Sequence, residues 1–338
     1  MTRNNHRVFI IDPFLFMRKI FPWLGLLLLL VACNPRDNRP ATDGEPQADA
    51  DTLPLVPLGD PFILYHDGLY YAYGTHAEEG IEVYTSADLH HWHSAGLALR
   101  RQDSWGDRWF WAPEVYRING RFYMYYSADE HICVATSASP AGPFVQAEQV
   151  PMLPDEKCID SSLFIDDDGT PYLTFVRFTD GNNIWIARLE DDYITIRPGT
   201  LRPCIHVSQP WEEVWPRVNE ASFLLKRNGL YYLTYSANSY ESPSYGVGCA
   251  TTRNLLDGPW EKYPENPLLQ SPPGLTGTGH SSLFTDAEGR LRIVYHAHRD
   301  SAHIHPRAMY IGHVHFQSVN GQERMRISQE YITPRLAD

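Results

Sequence analysis

Val218–Ala237 reads VNEASFLLKRNGLYYLTYSA. A carboxylate, Glu220, leads into the apolar run Phe223–Leu225, then a polar turn at Asn228-Gly229 and a second run, Leu230–Tyr235. Asn-Gly between two β-prone runs is the strongest short-range hairpin signal a sequence carries. The stretch therefore predicts two antiparallel strands with a carboxylate at the mouth of the first.

The phrase recurs in degraded form. Asp60–Tyr65 leads to a His66-Asp67-Gly68 turn and Leu69–Tyr73, and Ala112–Tyr116 leads to Asn119-Gly120 and Phe122–Ser127. Ile159–Ile165 precedes Asp168-Gly169 and Tyr172–Val176, and Gly279–Phe284 precedes Glu288-Gly289 and Leu291–His296. Each copy has a third strand-like run: Gly80–Ser86, Ile132–Ser137, Asn183–Leu189, Tyr245–Thr251 and Ala308–Phe316. Five hairpin-linked units on a period of roughly 50–60 residues, with no competing helical period, predict an all-β chain in the form of a five-bladed β-propeller. Radial stacking buries the sheet faces and closure protects the edges. A β-sandwich predicts no repeat of this length with a shared turn. Asp88–Trp92, Gly142-Pro143-Phe144 and Gly258-Pro259-Trp260 read as blade-edge turns plugged by an aromatic ring.

The first polar residues of the five units are Asp60, Glu114, Asp160, Glu220 and His280. Innermost propeller strands converge on one axis, so these side chains are expected to share a pocket. Carboxylates gathered this way raise each other's pKa, an arrangement suited to acid–base work.

The 338 residues are 43% hydrophobic and 13% aromatic, ample for a large core, and the net charge of −13 argues against nucleic acid and anionic membrane surfaces as partners. Near the N-terminus, Met17-Arg18-Lys19 precedes a leucine-rich run over Phe21–Val31 that ends in Leu30-Val31-Ala32-Cys33. A basic start, a short apolar centre and small residues before a cysteine resemble a bacterial lipoprotein signal, with translation from Met17 and the lipid on Cys33. Losing residues 1–32 removes four basic residues and one acidic one, so −13 becomes −16. The expected organisation is a signal region over 1–33, a flexible linker over 34–53, a propeller over 54–316 and a tail over 317–338. This places the protein in the bacterial cell envelope, touching membrane only through its anchor. Cys133 and Cys249 occupy equivalent repeat positions and read as buried thiols, whereas Cys158 and Cys204 flank one repeat as a candidate disulfide. CxxC spacing is absent, which argues against a zinc site. The C-terminal histidines (His296, His298, His303, His305, His313, His315) have no acidic or cysteine partner spaced with them, and Asp166–Gly169 lacks EF-hand spacing.

The ordered set Asp60-Pro61, Trp111–Val115, Ile159–Phe164, Val218-Asn219-Glu220 and Gly277–His280 resembles glycoside hydrolase family 43 from about Leu58 to Phe316. That resemblance implies Asp60 as the general base on water, Glu220 as the general acid, and Asp160 as the carboxylate that orients the acid and holds its pKa up. Such a scheme suits inversion, which needs one ionised and one protonated carboxyl about 6.5–9.5 Å apart. It further implies substrate contacts from Trp111, Arg307 (with Arg299 as rival) and Glu114. No cofactor is required, but a water or a structural calcium ion is expected at the axial His280. Trp105, Trp109, Trp211 and Trp215 precede the second and fourth units and are expected at the pocket mouth or as loop plugs. Glu220-Ala221-Ser222 departs from the family's usual Glu-Gly-Pro.

The expected activity is inverting, exo-acting release of terminal pentose, α-L-arabinofuranose foremost, from plant-type glycans. β-Xylosidase, exo-galactosidase or galactofuranosidase activity, and a non-catalytic glycan-binding propeller, are the alternatives. An endo-arabinanase needs an open cleft, against which the tryptophan-rich loops argue mildly. Oligomeric state is not legible.

Overall fold

The computed structural model describes residues 52–214 and 217–337. The signal region with Met17 and Cys33, the linker up to residue 51, and Trp215 lie outside the described residues.

The chain folds as five antiparallel sheets. Blade 1 holds β1 (Gly59–His66), β2 (Leu69–Thr75), β3 (Gly80–Ser86) and β4 (His91–Arg100). Blade 2 holds β5 (Trp111–Ile118), β6 (Arg121–Ala128) and β7 (His131–Ser137), extended at its outer edge by a Thr136–Val145 bridge. Blade 3 holds β8 (Cys158–Ile165), β9 (Pro171–Phe178), β10 (Asn182–Arg188) and β11 (Arg202–Ile205). Blade 4 holds β12 (Asn219–Arg227), β13 (Leu230–Ala237), β14 (Gly246–Thr252) and β15 (Glu261–Lys262). Blade 5 holds β16 (Gly279–Thr285), β17 (Leu291–Ala297), β18 (Ala308–Val319) and β19 (Gln322–Ile332). The innermost strands contact one another in turn, and β16 returns to β1, so the ring is closed.

The C-terminal tail expected after residue 316 is instead part of the ring. β18 runs on to Val319 and β19 completes blade 5, while β20 (Arg335–Leu336) pairs in parallel with β4 on the rim of blade 1. Alternating apolar residues in Met325-Arg326-Ile327 supply the reason, since Met325 and Ile327 are buried between blades 4 and 5.

Five apolar clusters fill the five gaps between neighbouring blades. Aromatic rings occur in all five, among them Tyr73, Tyr126, Tyr232 and Tyr295, and each buried ring contributes about 1.5–3 kcal/mol. The expected turn plugs belong here: Trp92 and Phe144 are fully buried, and Trp260 packs against the gap between blades 3 and 4. Cys133 and Cys249 are buried thiols as expected. The Cys158–Cys204 disulfide is not formed. The two residues lie on opposite edges of blade 3, three strand spacings apart, beyond the reach of an S–S bond.

All five innermost strands share one irregularity. The register slips between Gly59 and Phe62, Trp111 and Glu114, Ile159 and Ser162, Glu220 and Phe223, and Gly279 and Ser282. One residue in each slip has a left-handed backbone: Asp60, Ala112, Asp160, Ala221 and His280, with φ between 46° and 57°. This five-fold bulge re-aims side chains toward the axis. It also corrects the repeat alignment, because Glu220 stands one residue before its bulge and Glu114 two residues after.

Candidate active site

The bulges are tied together across the blade gaps. The N–H groups of Ala112, Asp160 and His280 donate to Thr75 Oγ1, Ser127 Oγ and Ser236 Oγ of the preceding blade, at 3.0, 3.1 and 2.8 Å. The Asp60 N–H donates to His296 Nδ1 at 3.1 Å. In blade 3 the corresponding residue is Val176, paired with Ile159, which has nothing to accept with. The Ala221 N–H turns instead to the Asp160 carboxylate. Ser222, where the family usually has proline, donates its hydroxyl to Thr174 Oγ1 at 2.9 Å. The chain's departure from Glu-Gly-Pro is thus absorbed locally.

Asp60 is held by Arg307 at two points, Nη1 to Oδ1 at 2.6 Å and Nη2 to Oδ2 at 3.1 Å. Thr75 Oγ1 donates to Oδ2 at 2.6 Å, and His280 Nδ1 lies 3.1 Å from Oδ1. Burial alone would raise the pKa of Asp60, but Arg307, His280 and His296 outweigh it and hold the carboxyl well below its ordinary range. Gly59 makes the pair possible, since a Cβ there would sit 2.4 Å from the Arg307 guanidinium carbon. Tyr240 covers the guanidinium, its ring centroid 4.6 Å away.

Glu220 accepts from Tyr245 Oη at 2.8 Å and from Asn182 Nδ2 at 3.1 Å. Burial dominates, and despite those two hydrogen bonds its pKa is pushed up to about 7. Asp160, buried beside it, is driven well above the usual carboxylate range by burial and then by the charges of Glu220 and Asp60. Glu220 and Asp160 titrate as a pair, which holds a proton that Asp60 does not.

His296 is fully buried and stacks on Tyr245 with ring centroids 5.6 Å apart and planes 16° apart. Burial and then Arg307 lower its pKa to about 3, so it is a neutral acceptor at physiological pH. Trp111 stands at the same bulge position in blade 2 as Glu220 in blade 4. It stacks on the exposed Trp109 at 5.6 Å, and Arg108 covers that second ring.

Several expected residues lie elsewhere. Arg299 is exposed beside Asp300 and takes no part in the pocket. Arg307 is spent on Asp60. Glu114 lines a narrow axial channel beneath the bulges, where it accepts a hydrogen bond from Tyr116 Oη, close to Ser162. Trp105 packs edge-on against His131, and Trp211 packs on Tyr235. A calcium ion favours six to eight oxygen ligands. His280 spends its Nδ1 on Asp60, and among the described residues no cluster of three or more His, Cys, Asp or Glu side chains is arranged to hold a metal. No step below runs through a metal. In the C-terminal histidine tract, His298 Nε2 bonds the Tyr240 carbonyl, His303 pairs with Asp300 and His313 with Arg292. Residues the sequence did not single out are Thr75, Asn182, Tyr240, Tyr245 and His296 in its pocket role.

One carboxylate held ionised and two sharing a proton, on the axis of a five-bladed propeller, suit acid–base cleavage of a glycosidic bond. The model of glycosyl hydrolases family 43 matches residues 54–318, and the chain belongs to that family. It is 32% identical to an extracellular exo-α-(1→5)-L-arabinofuranosidase of Streptomyces chartreusis, over 72% of this chain and 81% of that protein. It is 27% identical to the β-D-galactofuranosidase xynD of Aspergillus niger, over 81% of this chain and 83% of that protein. A solved structure described as an endo-1,4-β-xylanase from Bacteroides thetaiotaomicron is 47% identical with a TM-score of 0.81, covering 85% of this chain and 99% of that one.

Proposed function

We propose that this glycoside hydrolase is an inverting, exo-acting enzyme that releases terminal pentose, α-L-arabinofuranose foremost, from plant-type polysaccharides or oligosaccharides. The observation that carries the reading is the split in charge state, with Asp60 ionised while the Asp160–Glu220 pair keeps a proton. Asp60 takes a proton from water as the water attacks the anomeric carbon. Glu220 gives its proton to the departing glycosidic oxygen. Asp160, held by the Ala221 N–H, orients Glu220 and keeps its pKa up. Arg307 fixes Asp60 in its ionised form, and Trp111 offers an aromatic face to the sugar ring. Arabinofuranosidase names recur among the relatives and support the choice of sugar.

The 47% identity to a protein described as a xylanase favours xylose as the second reading. A screen of aryl α-L-arabinofuranoside, β-D-xylopyranoside and β-D-galactofuranoside separates these, with Glu220→Gln as control. The expected result is turnover of the arabinofuranoside by wild type alone. No wild-type turnover of these or of plant polysaccharides overturns the reading, and full activity in the variant overturns the assignment of the acid. Relatives named extracellular fit an exported enzyme. Attachment through a lipidated Cys33 is the localisation we propose, and loss of acyl labelling in Cys33→Ala tests it.

A further inference from the structure

The two sides of the pocket differ in a way that assigns the leaving group. In the proposed reaction water arrives from Asp60 and the departing oxygen is protonated by Glu220, so the sugar beyond the cleaved bond must lie on the Glu220 side. The structure shows what stands there. Asn182, which bonds Glu220 Oε2 at 3.1 Å, opens β10, and its cross-strand partner is Phe178 at the end of β9. Directly opposed residues of an antiparallel pair project from the same face with Cβ atoms about 4.5–5.5 Å apart. Phe178 thus stands one residue pair from the partner of the acid.

Phe178 is 42% exposed and packs into none of the five apolar clusters, so the core does not account for an aromatic ring there. Its hairpin is firmly seated. The Asn182 N–H donates to the Arg217 carbonyl at 3.0 Å, and Asn183 Nδ2 holds Thr179. Gly181 has φ 103°, and a Cβ there would lie 2.4 Å from the Arg217 carbonyl oxygen, so the tip fits tightly against the entry to blade 4. Arg217 and Asp180, with 3.6 Å between their charged atoms, add a polar edge with side chains mostly exposed. An exposed ring with a polar edge, held on a rigid hairpin, matches a sugar: its apolar face stacks and its hydroxyls reach the charges.

We propose that Phe178, edged by Asp180 and Arg217, is the platform for the sugar on the leaving-group side of the cleaved bond, and thereby sets the preference for oligosaccharides over substrates with no second ring. The proposal rests on the functional reading above. Its test compares Phe178→Ala and Phe178→Trp with wild type on α-1,5-L-arabinobiose and α-L-arabinofuranosyl fluoride, with xylobiose and β-D-xylosyl fluoride as the xylose arm. The fluoride leaves no ring to stack. In the series that wild type turns over, Phe178→Ala is expected to lower the ratio of kcat/KM for the disaccharide to that for the fluoride about tenfold, mostly through KM, and Phe178→Trp to preserve it. An unchanged ratio in Phe178→Ala overturns the platform and leaves the functional reading standing. Wild type inert in both series overturns the functional reading and the platform with it.

Discussion

Asp60 and Arg307, 247 residues apart in sequence, form a buried ion pair closed at two points, 2.6 and 3.1 Å. Two-point guanidinium–carboxylate pairs are strong and geometrically specific, and breaking one in a buried site strands a charge. Here the pair has a kinetic consequence. Because Asp60 must be ionised to act as base, the acid limb of kcat/KM is expected below the ordinary carboxylate range. Arg307→Lys loses the second contact, and Gly59→Ala pushes the guanidinium away while both partners keep their identity. Both are expected to move the acid limb to higher pH and to lower kcat/KM. A pH–rate profile in which neither variant shifts that limb contradicts the role of the pair.

The alkaline limb belongs to the coupled carboxyls. Glu220 must be protonated to act as acid, so activity is expected to fall as pH rises through about 7. Glu220→Gln removes the proton donor and should lower kcat about 10²–10⁴-fold on substrates with poor leaving groups. The loss should be much smaller on aryl glycosides whose leaving group needs no protonation. In the reactive form, with the shared proton on Glu220, Asp160 carries the charge; Asp160→Asn removes that charge, so its remaining activity should fall off at lower pH than in wild type. An alkaline limb that stays put or moves up in Asp160→Asn removes Asp160 from the role of holding the acid's proton.

Much of this was legible in the sequence, and the reason is physical. A strand–turn–strand phrase repeated five times constrains a chain to a radial array, and the carboxylates heading four phrases and the histidine heading the fifth are visible as residue types. Hidden from it were features created by backbone geometry. The left-handed bulge displaces Glu220 and Glu114 from Asp60 and Asp160 by one and two residues, and polarity alone cannot report such a slip. Asn182 reaches Glu220 across a blade gap and Tyr245 reaches it from the loop before β14, where spacing along the chain carries no information. One signal was available, however: Tyr126-Ser127-Ala128, Tyr235-Ser236-Ala237 and Tyr295-His296-Ala297 end the second strand of three units with a polar residue in one place. Those residues accept the N–H groups of the next blade's bulge. The tail was misread because β19 is rich in charged residues on its outer face while only Met325 and Ile327 are buried within it.

Ala221 tests the bulge itself. With φ at 53°, it carries a Cβ in a conformation that costs a non-glycine residue about 1–2 kcal/mol. Ala221→Gly relieves that strain but adds freedom to the unfolded chain, and the two effects nearly offset each other. Thermal unfolding within about 2 °C of wild type is expected, with the alkaline limb unmoved because the N–H to Asp160 is retained. Ala221→Val places a β-branched side chain where such residues are outliers and should lower both Tm and kcat. Equal stability of the valine and glycine variants would show that the bulge is not strained as described.

Glu114 supplies a test on stability, independent of substrate. Glu114 lines the axial channel, its carboxyl is hydrogen-bonded by Tyr116 and Ser162, and burial pushes its pKa from an ordinary 4.5 up to about 8. Between those values the unfolded chain has released this proton while the folded protein keeps it, so fewer protons are bound when unfolded. Stability from this group is therefore fully present below pH 4.5 and declines as pH rises toward 8. Asp160 and Glu220 are raised in the same sense, so the slope of wild type alone is composite. The difference between wild type and Glu114→Gln isolates the single group, since glutamine keeps an acceptor for Tyr116 and cannot ionise. The two proteins should melt within about 1 °C of each other near pH 4.5, and the glutamine variant should melt several degrees higher at pH 8.5, at roughly 2–4 °C per kcal/mol. Melting curves that run parallel across this window would mean that Glu114 ionises as freely in the folded protein as in the unfolded chain.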